Sequence, residues 1–263
     1  MKIGMLGPLF VRLDGVSVTP SAPKLRKVLS MLAIRSGRLV PVTSLMAELW
    51  DGNPPNSCLT TVQTYILSLR KVFASATGLS GTEVAREILR TESGGYRFVA
   101  GTAELDIERY DALAAAGRRS LDAGDDDTGI RQLGDALRLW RGPALAGVPV
   151  GRLLEADRYR LEESRLVLHE YWVDAQLRLG RYRDVLASLA GLTVEHPLHE
   201  NLHTQYMRAL FLNGRRGQAL EVFHRLRHNL VSELGLEPAG PAQRLQRAIL
   251  TQDPDTERGV WTA

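Results

Sequence analysis

The chain of 263 residues is long enough for two ordinary domains, each with a hydrophobic core of its own. Its apolar content of 44% and charged content of 24% are typical of folded globular proteins and exclude an intrinsically disordered chain. The single cysteine, Cys58, excludes an internal disulfide framework, and no apolar run approaches the roughly 20 residues of a membrane span. The N-terminus lacks the pattern of a signal peptide, so we expect a cytoplasmic protein with no membrane partner.

Charge is unevenly distributed along the chain. Residues 1–100 contain 12 basic and 6 acidic side chains, whereas the remainder contains 21 basic and 24 acidic ones. A basic front part joined to a mildly acidic rear part is the asymmetry expected when one domain binds a polyanion and the other binds protein.

The first 50 residues predict a β-hairpin followed by two helices. Apolar residues alternate with polar ones in 9–13 and 16–18, and Asp14-Gly15 between them is typical of a two-residue turn. The apolar spacing then predicts a helix at 24–34 and a second helix that Thr43 can cap, whose apolar face consists of Leu45, Met46, Leu49 and Trp50.

The stretch 54–73, PPNSCLTTVQTYILSLRKVF, predicts a third helix with two contrasting faces. One face is apolar at three- and four-residue steps: Leu59, Val62, Ile66, Leu69 and Phe73. The other face has short hydrogen-bonding side chains, with cations only at its C-terminal end: Thr60, Thr61, Gln63, Thr64, Ser68, Arg70 and Lys71. Such a face allows a helix to approach base edges in a DNA major groove, whereas an ordinary exposed helix more often alternates Glu and Lys.

A second hairpin is predicted after this helix. A loop rich in Gly, Ser and Thr at 74–82 leads to strands at 88–91 and 96–99, which are joined by the tip Glu92-Ser93-Gly94-Gly95. Short strands, three helices and a closing hairpin together predict a winged helix-turn-helix.

Nearly every segment from residue 105 onward has helical period. Helices are predicted at 112–121, 130–140, 153–179, 184–194, 199–212, 218–234 and 243–250. The turn Leu179-Gly180-Arg181 recurs as Asn213-Gly214-Arg215 at an offset of 34 residues, the tetratricopeptide period, and a looser copy lies at Ala123-Gly124-Asp125. Helical pairs of this kind stack into a solenoid whose concave surface usually binds protein.

Two parts of the chain resemble one known family. The run VQTYILSLRKVF, with the N-terminal hairpin and the GGYRF wing, is similar to the OmpR-type winged helix of Streptomyces antibiotic regulatory proteins. The segment from EHPLHENLH to ELGLEP resembles the bacterial transcriptional activator domain of the same regulators. The resemblance implies an α+β winged-helix domain at 1–100 and an all-α tetratricopeptide-like domain at 104–252. The residues at 100–103 are predicted to be a linker, and the polar segment 253–263 is predicted to be a flexible tail.

The resemblance also implies roles for individual side chains. Bases would be read by the middle of the third helix's outer face: Gln63, Thr64, Leu67 and Ser68. Phosphates would be bound by Trp50, Thr61, Tyr65, Arg70 and Tyr96, with wing contacts near Arg90. Thr60 and Lys71, on the polar face, complete the predicted DNA-binding surface. Leu67 and Ser68 stand where many OmpR-type helices have arginine, so bidentate readout of guanine is not available there.

The family implies a transcriptional activator of antibiotic or secondary-metabolite biosynthesis. It would bind direct repeats in double-stranded promoter DNA as a homodimer, associate with the nucleoid and recruit RNA polymerase through its sigma and alpha subunits. No enzymatic activity, catalytic residue, cofactor or metal is expected, because the sequence contains neither a G-x-x-x-x-G-K-[ST] loop nor a G-x-S-x-G motif.

Three alternatives remain open from the residues alone. Trp50 and Tyr96 have amphipathic rings that also suit a hydrophobic core. The run 199–203, HENLH, matches the zinc-protease pattern H-E-x-x-H, although no third ligand follows at a recognised spacing and the start of a repeat helix explains it better. Finally, the repeats suit a protein-interaction scaffold in which the winged helix docks on a partner other than DNA.

Overall fold

The computed structural model describes residues 1–101 and 103–251. They form two compact units: the first comprises Met1–Ala116 and Gln132–Leu168, and the second comprises Gly117–Arg131 and the chain from His169 onward. Thr102 in the predicted linker and the predicted tail lie outside the described residues. The division into domains at 1–100 and 104–252 stays a prediction.

The first unit contains a four-stranded sheet of order β3-β2-β1-β7. Its strands are β1 (Lys2–Gly4), β2 (Phe10–Leu13), β3 (Val16–Ser17) and β7 (Glu104–Leu105). The predicted hairpin is confirmed as β2 and β3, and Asp14 and Gly15 between them have the positive φ angles, 47° and 85°, that such a turn requires. The sequence did not predict β1 and β7, because strands of two or three residues are too short to show a period.

Helices and a second sheet complete the winged helix, which confirms the predicted fold class. The helices are α1 (Pro23–Ile34), α2 (Val42–Trp50), α3 (Cys58–Thr77) and α4 (Gly81–Glu87). The wing sheet has the order β4-β6-β5, with strands β4 (Leu39–Pro41), β5 (Leu89–Glu92) and β6 (Gly95–Phe98).

Two local predictions in this region are wrong. Thr43 does not cap α2, because the helix already begins at Val42 and its N-cap is Pro41, without a side-chain hydrogen bond. The loop predicted at 74–82 is mostly helical, since α3 continues to Thr77 and a capping box between Ser80 and Glu83 starts α4.

Chain segments beyond the wing also belong to the first unit. The Asp106 carboxylate accepts hydrogen bonds from the amides of Met5 (2.8 Å) and Leu6 (3.0 Å) and from the Arg141 guanidinium (2.7 Å). The Arg141 amide donates in turn to the Leu6 carbonyl oxygen at 2.8 Å. The segment directly after β1 is therefore bonded to residues that follow it by 100 positions or more.

The described chain from residue 106 to residue 251 is mostly helical, as predicted. Its helices are α5 (Asp106–Asp122), α6 (Asp126–Leu137), α7 (Arg152–Arg178), α8 (Tyr182–Glu195), α9 (Glu200–Leu212), α10 (Arg216–Leu234) and α11 (Gly240–Thr251). In the second unit, α9, α10 and α11 share a core that includes Met207, Phe223, Leu226, Leu245 and Ile249. No helix in the described part of the chain is long and apolar enough to cross a bilayer.

The three glycine turns of the predicted repeat have the same backbone geometry. Gly124, Gly180 and Gly214 have φ angles of 79°, 73° and 76°. The residue after each glycine donates its amide to the carbonyl five positions earlier: Asp125 to Ser120, Arg181 to Gln176 and Arg215 to Leu210, at 2.9, 3.0 and 2.8 Å. This pattern terminates each preceding helix on a left-handed glycine, so the looser third copy is a genuine equivalent of the other two.

Candidate nucleic-acid interface

Helix α3 is held in the first unit by its apolar face. Val62, Ile66, Leu69 and Phe73 are each at most 1% exposed, and the Phe73 ring lies 5.6 Å from that of Phe98 in β6. The prediction that Leu59 belongs to this face is wrong, because its side chain is 50% exposed in the first turn of the helix. Burial of the other four orients the opposite face toward solvent.

The opposite face holds most of the predicted DNA-binding residues at the surface. Exposed side chains are Thr60, Gln63, Thr64, Leu67 and Lys71, and half-buried ones are Thr61, Tyr65, Ser68 and Arg70. Lys71 has no ion-pair partner among the described residues, so its charge is available to an external anion.

Hydroxyl groups on this face are hydrogen-bonded to their own helix. Thr61 donates to the Ser57 carbonyl at 3.0 Å, and Thr64 and Ser68 donate to the carbonyls of Thr60 and Thr64 at 2.9 Å each. Because each hydroxyl proton is directed at the backbone, the oxygen lone pairs remain free to accept hydrogen bonds. Gln63 differs, since its amide offers both donors and an acceptor.

Arg70 is tied to the wing. Its Nε and Nη2 donate to the Leu89 carbonyl oxygen at 3.0 and 2.7 Å, and Nη2 also donates to Thr91 Oγ1 at 2.8 Å. Partial burial lowers the pKa of the Arg70 guanidinium from its ordinary value, an effect that the charge of Tyr96 opposes. The guanidinium therefore joins α3 to strand β5.

The wing has two arginines on adjacent strands, one exposed and one in an ion pair. Arg90 on β5 is exposed and stands opposite Arg97 on β6. Arg97 forms a two-point ion pair with Glu92, at 2.6 and 2.8 Å, and also donates to the Gly37 carbonyl. Its charge is thus compensated within the protein, whereas the side chain of Arg90 extends into solvent.

The two predicted aromatic contacts have different surroundings. Trp50 is half-buried at the C-terminal end of α2, and Lys24 Nζ lies 5.2 Å from its ring centroid. Tyr96 is only 7% exposed in the central strand of the wing sheet. Tyr96 is therefore chiefly a core residue, and Trp50 presents part of its ring to solvent beside a cation.

Glu48 is a polar residue of the helix-turn-helix that the sequence did not single out. It is 1% exposed, and its carboxylate accepts hydrogen bonds from the amides of Gly151, Leu153 (2.8 Å) and Leu154 (3.2 Å) at the start of α7. The positive end of that helix dipole stabilises the buried anion. No local pattern identifies it, because its partners lie more than 100 residues away.

The HENLH run is built into the second unit as a helix start. His199 is the N-cap of α9, Glu200 accepts a hydrogen bond from the Ala239 amide at 2.5 Å, and His203 is 2% exposed with Nδ1 3.0 Å from the His199 carbonyl oxygen. Among the described residues, no group of three or more His, Cys, Asp or Glu side chains is arranged to bind a metal ion.

Comparison with known families places both parts of the chain. The model of the bacterial transcriptional activator domain matches residues 105–250, and that of the C-terminal domain of transcriptional regulatory proteins matches residues 17–98. The regulatory protein DnrI of Streptomyces peucetius is 46% identical over 98% of this chain and 95% of its own length. The regulatory protein AfsR of Streptomyces coelicolor is 38% identical over 97% of this chain, which corresponds to 24% of that larger protein.

A solved structure has the same fold. It is that of EmbR from Mycobacterium tuberculosis in complex with a low-affinity phosphopeptide, with a TM-score of 0.86, 33% identity and coverage of 99% of this chain and 68% of that one. Winged helix, helical domain and overall sequence thus all agree with one group of regulators. The chain belongs to the Streptomyces antibiotic regulatory protein family of transcriptional activators.

Proposed function

We propose that the protein activates transcription by inserting the exposed face of α3 into the major groove of promoter DNA. The observation that supports this most directly is that a polar, largely uncharged helix face is left exposed, with Lys71 at its C-terminal end. A helix of this kind fits the width of the major groove, and its short side chains permit close approach to base edges. The wing tip at Gly94-Gly95 meets the adjacent backbone or minor groove.

Base readout is assigned to Gln63, Thr64, Leu67 and Ser68. Gln63 has both a donor and an acceptor, which suits the N6 and N7 atoms of adenine. The Thr64 and Ser68 hydroxyls, whose protons are engaged by the helix backbone, act as acceptors toward base amino groups. Leu67, which is 56% exposed, offers apolar contact to a thymine methyl group.

Phosphate contacts are assigned to side chains that flank this row. Lys71 and Arg90 supply exposed positive charge, and Thr60, Thr61, Tyr65 and Trp50 supply neutral donors or polar edges. Arg70 and Tyr96 are more enclosed. Because Nε and Nη2 of Arg70 already donate to the wing, a direct phosphate contact by this side chain would use only Nη1.

Family membership supports a wider role. We infer that two copies bind direct repeats side by side near a promoter of a secondary-metabolite cluster, and that the helical domain contacts either the second copy or RNA polymerase. Recruitment through the sigma and alpha subunits is the mechanism that the family resemblance implies.

Footprinting on the promoters that neighbour the protein's own gene tests this function. Protection of direct repeats is expected, and Gln63→Ala should change which base is preferred while leaving binding to random DNA nearly intact. Equal loss of affinity for specific and random DNA in Gln63→Ala would contradict its role in base readout. Absence of any mobility shift at low salt would favour the scaffold function instead.

A further inference from the structure

The Arg70 guanidinium is hydrogen-bonded to two residues of strand β5, Leu89 and Thr91. Leu89, whose carbonyl oxygen receives two of the three Arg70 hydrogen bonds, is fully buried. Thr91, the third acceptor, is exposed. The two acceptors flank Arg90, the exposed cation of the wing.

The Leu89 carbonyl has no partner within the sheet. Strand β5 lies at the edge of the wing sheet, and the Val99 amide donates to the Ile88 carbonyl at 2.7 Å. Because successive carbonyls of an antiparallel strand alternate in direction, the Leu89 oxygen points away from β6. An unpaired edge carbonyl beside buried residues is costly, and the planar fork of Arg70 satisfies it.

Arg70 and its neighbour Lys71 therefore differ in what they can do. The Arg70 side chain is half-buried, and three of its donor contacts are already made inside the protein. Lys71, one residue later, is exposed and unpaired among the described residues. Of these two residues, only Lys71 has all its donors available to a phosphate.

We propose that Arg70 is a positioning residue for DNA binding, which fixes β5 against α3 so that Arg90 reaches the phosphate backbone beside the groove that α3 occupies. The assignment rests on the proposed function, since it concerns how the wing is set relative to the helix that enters the DNA. Its physical basis is the guanidinium geometry: one rigid group bonds the residue's own helix to a backbone atom of the wing.

A double-mutant cycle on the full chain tests the proposal. Binding to a duplex of about 30 base pairs of arbitrary sequence is measured over a range of salt concentrations. The salt slope is the slope of log K against log salt concentration, and each lost phosphate contact reduces its magnitude by about 0.9. Arg90→Ala should lower the slope by about 0.9, and Arg70→Ala by a similar amount through displacement of the wing. In the double variant we expect a total loss of about 0.9, because both substitutions remove the same contact.

The matched control is the pair Lys71→Ala and Arg90→Ala. These residues make separate contacts, so their effects should add to about 1.8 in slope. A loss of about 1.8 for Arg70→Ala with Arg90→Ala would overturn the proposal and identify Arg70 as an independent phosphate contact.

Two conservative variants test the same role of Arg70 if Arg70→Ala does not fold. Arg70→Lys retains the charge but not the fork, and Thr91→Val removes one acceptor with every charge intact. Both should accelerate amide hydrogen exchange in 89–98 without DNA present, and Arg70→Lys should bind DNA as poorly as Arg90→Ala. Unchanged exchange and wild-type affinity in Arg70→Lys would refute the positioning role. Failure of the wild-type chain to bind duplex DNA would instead refute the proposed function, and the exchange measurement would still report on Arg70.

Discussion

The Glu48 carboxylate lies 2.8 Å from the amide nitrogen of Leu153, so a side chain of the helix-turn-helix caps α7, the longest helix among the described residues. The carboxylate is almost fully buried and accepts three amide hydrogen bonds. Such an anion is stable only while its donors remain in place, because an unpaired buried charge is strongly unfavourable.

Glu48→Ala should therefore destabilise the protein by about 2–3 kcal/mol, through the loss of a helix cap and the exposure of unsatisfied amides in a buried site. Glu48→Gln, which keeps one acceptor oxygen, should cost less. The measurement is urea unfolding of the full chain. Glu155→Ala, in the first turn of α7 but half exposed, is the matched control and should change stability by no more than about 0.5 kcal/mol.

Lys71→Ala should weaken binding to every DNA sequence alike. An exposed, unpaired lysine at the C-terminal end of the proposed reading face contributes through counterion release, so its loss should lower the salt slope by about 0.9. Fluorescence anisotropy at several salt concentrations measures both effects. Arg86→Ala, on α4 and already paired with Glu87 at 2.8 Å, should leave the slope unchanged. A changed base preference in Lys71→Ala would contradict its assignment to phosphate.

Gly95 is a site of close approach between strands of the wing. A Cβ atom there would lie 2.3 Å from the Val40 carbonyl oxygen, so Gly95→Ala should separate β4 from β6 and cost about 2 kcal/mol or more. At Gly94 a Cβ atom would meet no other atom within 4 Å. Gly94→Ala should therefore lower the free energy of unfolding by only about 1 kcal/mol, because of the positive φ angle there. Thermal unfolding of both variants measures this difference. Equal losses of stability would show that β4 and β6 can move apart without cost and would contradict the prediction.

His203 should make the second unit sensitive to acid. Desolvation lowers the pKa of this imidazole from its ordinary 6.5, assisted by Arg225 and His199 and opposed by a hydrogen bond to the His199 backbone. The unfolded chain therefore binds a proton at His203 at a higher pH than the folded chain does. Stability is retained above about pH 6.5, the ordinary pKa, and is lost as the pH falls toward the lowered pKa of the folded state.

Unfolding free energies at about pH 8 and about pH 5.5 test this, with His203→Gln expected to lose less stability on acidification than the wild type. His228→Gln, exposed on α10, is the control and should behave like the wild type.

A rise in melting temperature on addition of zinc would contradict the assignment of HENLH as a helix start.

Periodic features could be predicted from the sequence, and long-range ones could not. The apolar row of α3 and the glycine turns at 124, 180 and 214 are visible locally because each depends on residues within one or two helical turns. Leu59 fits the same row but lies in the first turn of α3, where it is exposed. Glu48 and Asp106 look like ordinary surface acids, since their amide donors are about 100 residues distant.

The predicted site shows the same contrast. Helix period predicts correctly that Gln63, Thr64 and Lys71 are exposed. It cannot show that Arg70 turns toward the wing, because that depends on where the edge carbonyl of Leu89 lies after the second hairpin has formed.

Strand β1 has a consequence for the order in which the nascent chain folds. Its parallel neighbour β7 and the acceptor and donor groups of Asp106 and Arg141 leave the ribosome long after β1 does. At about 5–20 residues per second, Met5 and Leu6 wait several seconds for their permanent partners. Strand β1 can pair with β2 well before that, so Met5 and Leu6 gain these hydrogen bonds later than the strand itself is paired, and chaperones have that interval in which to bind them.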